Sequence, residues 1–355
     1  MSKELRDILE RVRQLGPDDQ AVLATVVSLE GSGYRLPGAR MLIAPDGCAI
    51  GTVSGGCLEA DVLERARQVL ATGQPTVVTY DTRDKGESVF SLNMGCNGVL
   101  RILLEPVTDN ELFALIEQVF ATRIPITIAT AIAPESPAHI IGERAIIDDK
   151  VPDTARRLPS TANYFVETIQ PPLNLVIFGG GFDAPPLVRL AKELGWYVTV
   201  VDHRPAFADA NRLANPNEIS TIRPEELAGR FELGPNRAAV LMTHNYDHDR
   251  EILKFVASQR VAYVGALGPK ARTTRLLADM ANGGQFIGQD LMAKLHAPIG
   301  LDIGAQTPET IALAIIAEIQ AVIAGRPAGH LKDRNAPIYD RNGDRRTKAI
   351  LEARA

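Results

Sequence analysis

Leu173-Asn174-Leu175-Val176-Ile177-Phe178-Gly179-Gly180-Gly181-Phe182-Asp183-Ala184 decides the fold of the second half of the chain. A short apolar run of this kind reads as a buried strand. Gly179, Gly181 and Ala184 then fit G-x-G-x-x-G/A, the turn that lets a phosphate approach the backbone. Leu187, Val188, Leu190, Ala191 and Leu194 follow at helical spacing. Pro185 and Pro186 fall in the first turn of that helix, where no intrahelical donor is lost. Tyr197 to Val201 is the next strand, and it ends in Asp202 at the offset where an acid meets a ribose hydroxyl. Strand, glycine turn, helix, strand and terminal acid together predict a Rossmann-like βαβ unit. Whether the unit holds a dinucleotide or nothing stays open. His203 and Arg204, directly after the acid, leave NAD and NADP undecided.

Further along, the pattern repeats in kind. Ala238 to Met242 reads as a strand, Arg250 to Gln259 as a helix and Val261 to Leu267 as a strand closing on Gly268. Ligands of open parallel sheets sit beyond the carboxyl ends of the strands, which would gather Asp202, Thr243, His244 and Gly268. His244, Asp247 and His248 have metal-ligand composition, but a strand end and a helix start would hold the two histidines apart. Thr307-Pro308-Glu309 opens a long helix with an N-cap, a first-turn proline and an early acid. Residues 172–325 are therefore expected to form a doubly wound parallel sheet, followed by a charged tail at 326–355.

Working outward to the first half, Gly51-Thr52-Val53-Ser54-Gly55-Gly56-Cys57-Leu58-Glu59 joins a strand to an amphipathic helix marked by Leu58, Val62, Leu63, Ala66, Val69 and Leu70. Cys57 falls in or just before the first turn of that helix, beside unpaired N–H groups and the positive end of the dipole. That position favours the thiolate, the form that attacks sulfur or binds a metal. Gly55 and Gly56, next to Ser54, remove side-chain bulk where a ligand would approach. A buried cysteine in a glycine turn is the bland alternative. Arg35, in the loop from Glu30 to Arg40, is a candidate phosphate holder or a solvated charge. A second glycine–cysteine turn, Ser91 to Gly98, carries Cys96 as a candidate second thiol, and Cys48 reads as structural.

A helix from Leu5 to Leu15, further strands at Ala21–Leu29, Met41–Ala44, Gln74–Asp81, Val99–Glu105 and Ile124–Ala133, a helix at Asp109–Thr122 and a hairpin-like pair at His139–Asp149 complete an α/β domain over 1–150. The polar run Pro152 to Thr161 marks a linker over 151–171. The 355 residues carry a formal net charge of −5, with no basic run before the tail, which argues against nucleic acid as a partner. No apolar run approaches membrane-spanning length, and the first residues read as a helix start, not a signal peptide. Three cysteines with no metal-type C-x-x-C pair fit reduced thiols in the cytoplasm.

GSGYRLPGARMLI (31–43) followed by GTVSGGCLEADVL (51–63) resembles the amino-terminal signature of the XdhC/CoxI family. VIFGGG (176–181), VVDHRP (200–205), THNYDHD (243–249), YVGALGPKAR (263–272) and PIGLDIGAQTPETIALAIIAEI (298–319) resemble its carboxy-terminal domain, in family order. Tyr34, Asn97 and Pro269 depart from the residues usual there. The resemblance implies an N-terminal α/β XdhC/CoxI-type domain followed by a Rossmann-like domain. It further implies a chaperone that matures molybdenum hydroxylases of the xanthine dehydrogenase or carbon monoxide dehydrogenase type. Such a protein binds the molybdenum cofactor, as molybdopterin or its dinucleotide form, and shields it. It supports replacement of an oxo ligand by sulfur and delivers the cofactor to an apo-hydroxylase.

On that reading Cys57 is the molybdenum ligand or sulfur acceptor and Cys96 a second thiol, with Arg35, Ser54, Gly55 and Gly56 around the cofactor. Gly179, Gly181, Asp202, Thr243 and His244 would bind its nucleotide part or NAD(P). The expected partners are the apo molybdenum hydroxylase, a cysteine desulfurase-type sulfur donor and further copies of the chain. An NAD(P)-dependent oxidoreductase centred on Cys57 or His244 and a ligand-free assembly adaptor are the competing classes. No acid–base pair stands beside a substrate-shaped motif, which favours a maturation factor over a turnover enzyme.

Overall fold

The computed structural model describes residues 3–83, 98–107, 111–134, 141–147, 162–285, 288–336 and 338. The chain divides into two compact units, one formed chiefly by Glu4–Pro171 and the other by Pro172–Ile338.

In the first unit, α1 (Lys3–Val12) precedes the strands β1 (Val22–Gly31), β2 (Arg40–Ile43) and β3 (Ala49–Gly51). After α2 (Glu59–Thr72) come β4 (Thr76–Asp81) and β5 (Gly98–Pro106), and the five strands form an antiparallel sheet in the order β3-β2-β1-β5-β4. The central strand β1 buries Val22, Leu23, Ala24, Val26 and Val27, as a strand covered on both faces must. Val62, Ala66 and Val69 of α2 pack on Val22, Ala24, Val26, Ile102 and Leu104. The helix stops at Gly73, whose φ of 67° needs a residue without Cβ. Then α3 (Glu111–Thr122) leads to β6 (Ile126–Pro134), β7 (Arg144–Ile147) and β8 (Ala162–Ile169), a second antiparallel sheet in the order β7-β6-β8.

Two expectations change here. Of the pair expected at His139–Asp149, the described residues hold the strand Arg144–Ile147, whose partner is β6. The span 151–171, expected to be a linker, contains β8, paired antiparallel to β6 with Ile128 opposite Glu167. Polar Asn163, Glu167 and Thr168 interrupt the apolar pattern of β8, yet Tyr164, Phe165 and Ile169 are buried. Glu167 is not solvated either, because it forms an ion pair with Arg40 of β2. A second enclosed pair joins the sheets, as Arg144 Nη2 donates to Glu105 Oε1 and Oε2 at 2.6 and 2.8 Å. Pro152–Thr161 and Cys96 lie outside the described residues.

The second unit contains β9 (Asn174–Phe178), α4 (Ala184–Glu193), β10 (Tyr197–Val201), β11 (Glu218–Ser220) and β12 (Arg237–Leu241). It continues through α5 (Tyr246–Ala257), β13 (Tyr263–Ala266), α6 (Lys270–Asn282), α7 (Gln289–Lys294), β14 (Leu295–His296) and α8 (Pro308–Ile323). All six strands are parallel, in the order β11-β10-β9-β12-β13-β14. Alternate residues of β9 point to opposite cores. Leu175 and Ile177 meet Leu187, Val188, Ile315 and Ile319 of α4 and α8. Val176 and Phe178 meet Ile252, Val256, Leu276 and Leu291 of α5, α6 and α7. Helices on both faces make the sheet doubly wound, as the sequence predicts. The order reverses at β9, so the turn after Phe178 stands at the switch point. Among the described residues no helix is long and apolar enough to cross a membrane.

Candidate functional site

The thiol turn of the first unit is fastened from below. Glu59, first residue of α2, accepts Thr52 Oγ1 at 2.6 Å, the Ser54 amide at 3.0 Å and the Leu58 amide at 3.2 Å, and also bonds the Ser54 hydroxyl. Buried Ser54 in turn accepts the amides of Gly56 at 3.2 Å and Leu58 at 3.1 Å. Burial pushes the Glu59 carboxyl up, but the Ser54 and Thr52 hydroxyls and the amides outweigh it and hold it below its ordinary 4.5. Two of the amides that would otherwise greet an anion are thereby satisfied within the turn. The exposed part is what remains: Gly55, Gly56 and the Cys57 side chain face solvent. Gly56 has φ 105° and open space where a Cβ would stand.

Cys57 precedes the N-cap residue Leu58, just outside the first turn of α2. Tyr34, exposed over 62 % of its surface, lays its ring against Gly55, with Cγ 3.5 Å from the position of a Cβ there. Arg35 is half-buried and paired with Glu4, whose other oxygen accepts the Thr52 amide at 2.9 Å. Its guanidinium therefore braces the strand leading into the turn. Cys48, read from the sequence as structural, is exposed beside β3.

The second unit brings Gly179, Gly181, Asp202, Thr243 and His244 together at the carboxyl edge of the sheet. Gly179 has φ 113°, and a Cβ there would stand 2.6 Å from Met242 O. Asp202 accepts the Gly180 amide at 2.7 Å, the Arg204 amide at 2.9 Å, and Arg204 Nε and Nη2 at 3.0 and 2.8 Å. Burial raises the Asp202 pKa, and the Arg204 bonds outweigh it to leave the acid below its usual range. His244 is exposed in a left-handed conformation, φ 58°, and its Nε2 lies 3.0 Å from Asp183 Oδ2. The carboxylate at the N-cap of α4 thus turns to the histidine and not to the helix. Thr243 Oγ1 donates to Asp249 at 2.6 Å, and Asp249 also receives Arg272 Nη2 at 2.6 Å.

A cavity of about 230 Å³ opens here among Asp202, His203, Arg204, Thr243, Asn245 and His248, over apolar Phe178, Ile222, Leu227 and Ile252. His203 and His248 meet edge to face at 4.6 Å. Burial, only partly offset by Asp202, depresses the His203 pKa and favours the neutral ring. The helix α5 starts at Tyr246, not at the expected Arg250, because Asn245 caps it by accepting the His248 amide at 3.0 Å. His244 and His248 accordingly serve different neighbours. Among the described residues no three His, Cys, Asp or Glu side chains converge on a metal position.

Sequence reasoning missed Glu59, Glu4 and Asp183 as parts of these sites. For Glu59 a signal was available, an acid following the serine turn at the start of a helix. The others are partners chosen by tertiary geometry.

Residues 175–319 match the family described as the XdhC Rossmann domain, and residues 15–81 match the XdhC and CoxI family. A Bacillus subtilis protein, named as a probable subunit of xanthine dehydrogenase, is 32 % identical over 86 % of this chain and 94 % of its own length. The molybdenum cofactor insertion chaperone PaoD of Escherichia coli is 24 % identical over 85 % of this chain and 83 % of its own. A solved Bacillus halodurans structure described as a xanthine dehydrogenase superposes with a TM-score of 0.77 at 31 % identity, covering 94 % of this chain and 98 % of that one. The chain belongs to the XdhC/CoxI family.

Proposed function

We propose that this chain is a maturation factor for a molybdenum hydroxylase, binding the molybdenum cofactor as cargo, supporting its sulfuration and delivering it to the apo-enzyme. The observation that carries the reading is the Cys57 thiol, held outward on a glycine turn whose base is fixed by Glu59 and Ser54. A soft sulfur on a fixed backbone suits a molybdenum ligand or a persulfide acceptor. The open space at Gly56 and the exposed Tyr34 ring against Gly55 offer bare backbone and an aromatic face to a flat pterin next to that sulfur. The insertion role of the PaoD relative supports the same reading.

In this scheme Cys57 holds the cargo or carries sulfur from a desulfurase-type donor, Ser54 and Glu59 keep the turn in shape, and Arg35 acts through Glu4 on the strand before it. The test begins with protein from a molybdenum-supplied host able to make the cofactor, by absorption spectroscopy and metal analysis. Cys57→Ser is nearly isosteric and should keep the fold, lose bound molybdenum and fail to activate the apo-hydroxylase, while Cys48→Ser activates normally. Cys57→Ser protein that activates as well as the unmutated form refutes the assignment.

A further inference from the structure

The cleft of the second unit has the outline of a dinucleotide site, yet the acid at its centre is already occupied. Asp202 is 4 % exposed, and its two oxygens accept four N–H groups, three of them from Arg204. A carboxylate has about four lone-pair positions, so none is left for a ribose diol. Arg204 is itself braced. Its guanidinium lies 3.8 Å above the centre of the Phe207 ring, and Arg212 stacks on the same ring at 4.4 Å. Arg212 Nη1 also donates to the carbonyl of Gly180, and the Phe207 carbonyl packs so close to Gly180 that a Cβ there would collide with it. The segment from Arg204 to Arg212 is thus latched onto the glycine turn at the place a ribose would take.

We infer that Arg204 is a specificity-determining residue that keeps ribose dinucleotides out of this cleft by occupying Asp202 with its own guanidinium. The exchange explains the direction. The guanidinium brings Asp202 an opposite charge in a bidentate fork, whereas a ribose diol brings hydrogen bonds to the carboxylate with no charge to neutralise it. The conclusion concerns the second unit alone and stands apart from the thiol turn, so it survives or fails independently of the maturation reading.

NADH is the probe, titrated by its own fluorescence into the full chain. Arg204→Ala frees the carboxylate and should bind NADH with a Kd at least tenfold below that of the unmutated protein, about 1.4 kcal/mol. Arg204→Ala combined with Asp202→Asn should lose the gain, and Cys57→Ser should leave the titration unchanged. If Arg204→Ala does not fold, as judged by Trp196 fluorescence, Arg204→Lys is read instead. It keeps a positive charge beside Asp202 but lacks the fork, so it should still bind more tightly than the unmutated chain. Equal affinity in the unmutated and substituted proteins, including equal failure to bind, overturns the inference.

Discussion

Replacing Glu59 by glutamine tests whether the thiol turn is held by one ionised carboxylate. The substitution keeps the shape but turns an NH2 group toward donors that now need an acceptor. Of the hydrogen bonds from Thr52, the Ser54 amide, the Ser54 hydroxyl and the Leu58 amide, those to one oxygen survive in weakened, uncharged form. Losing two charge-assisted bonds at about 1.5 kcal/mol each, discounted because the side chain is only half-buried, gives about 2 kcal/mol. For a unit of this size that lowers Tm by roughly 4–8 °C. Trp196 is the one tryptophan of the chain and sits in the second unit, so far-UV circular dichroism is the appropriate readout. The deficit should also depend on pH. Folded Glu59 ionises below its ordinary 4.5, so its contribution is complete above that value and is lost as pH falls through the lower folded pKa. The gap between Glu59→Gln and the unmutated protein should therefore be constant from neutral pH to about 5 and close below about 4.5. A variant within 0.5 kcal/mol of the unmutated chain at pH 7, or a gap that widens in acid, would refute the reasoning.

Arg144→Ala should cost about 3–5 kcal/mol, because it leaves the Glu105 carboxylate enclosed without its partner, and urea unfolding followed by circular dichroism reads it. Gly179→Ala adds a Cβ against the Met242 carbonyl at φ 113° and should destabilise the second unit by about 2 kcal/mol or more, seen in the Trp196 transition. Limiting alkylation at neutral pH should label Cys57 ahead of Cys48, as mass spectrometry of the digested protein would show; equal labelling would leave the glycine turn without a chemical advantage.

The core of the fold was legible where local pattern and tertiary role coincide. β9, the glycine turn, α4 and β10 are contiguous, and each carries its own periodicity, so the Rossmann unit could be read in one pass. The strands β11 and β14 are three and two residues long, too short for a pattern to form. In β8, Glu167 looks like a solvated charge and is instead enclosed by an arginine 127 positions away, a fact no local window contains. The same distinction runs through the sites. Cys57 could be placed because a glycine turn and an amphipathic helix flank it. The engagement of Asp202 could not, because Arg204 two positions on serves equally well as a ligand's partner or as the acid's own.

The pairing of Arg40 with Glu167 also sets an order of assembly during synthesis. Arg40 is 6 % exposed in β2, so the five-stranded sheet closes around a charge whose counterion belongs to the last strand of the unit. An enclosed charge without its partner costs several kcal/mol, enough to keep that sheet loose. At 5–20 residues per second, their separation of 127 positions represents roughly 6–25 s on the ribosome. During that interval the thiol turn, which follows the strand next to β2 in the same sheet, belongs to an incompletely packed body. The sheet that carries the thiol turn thus gains its last buried counterion only when β8 emerges, just before the chain reaches Pro172.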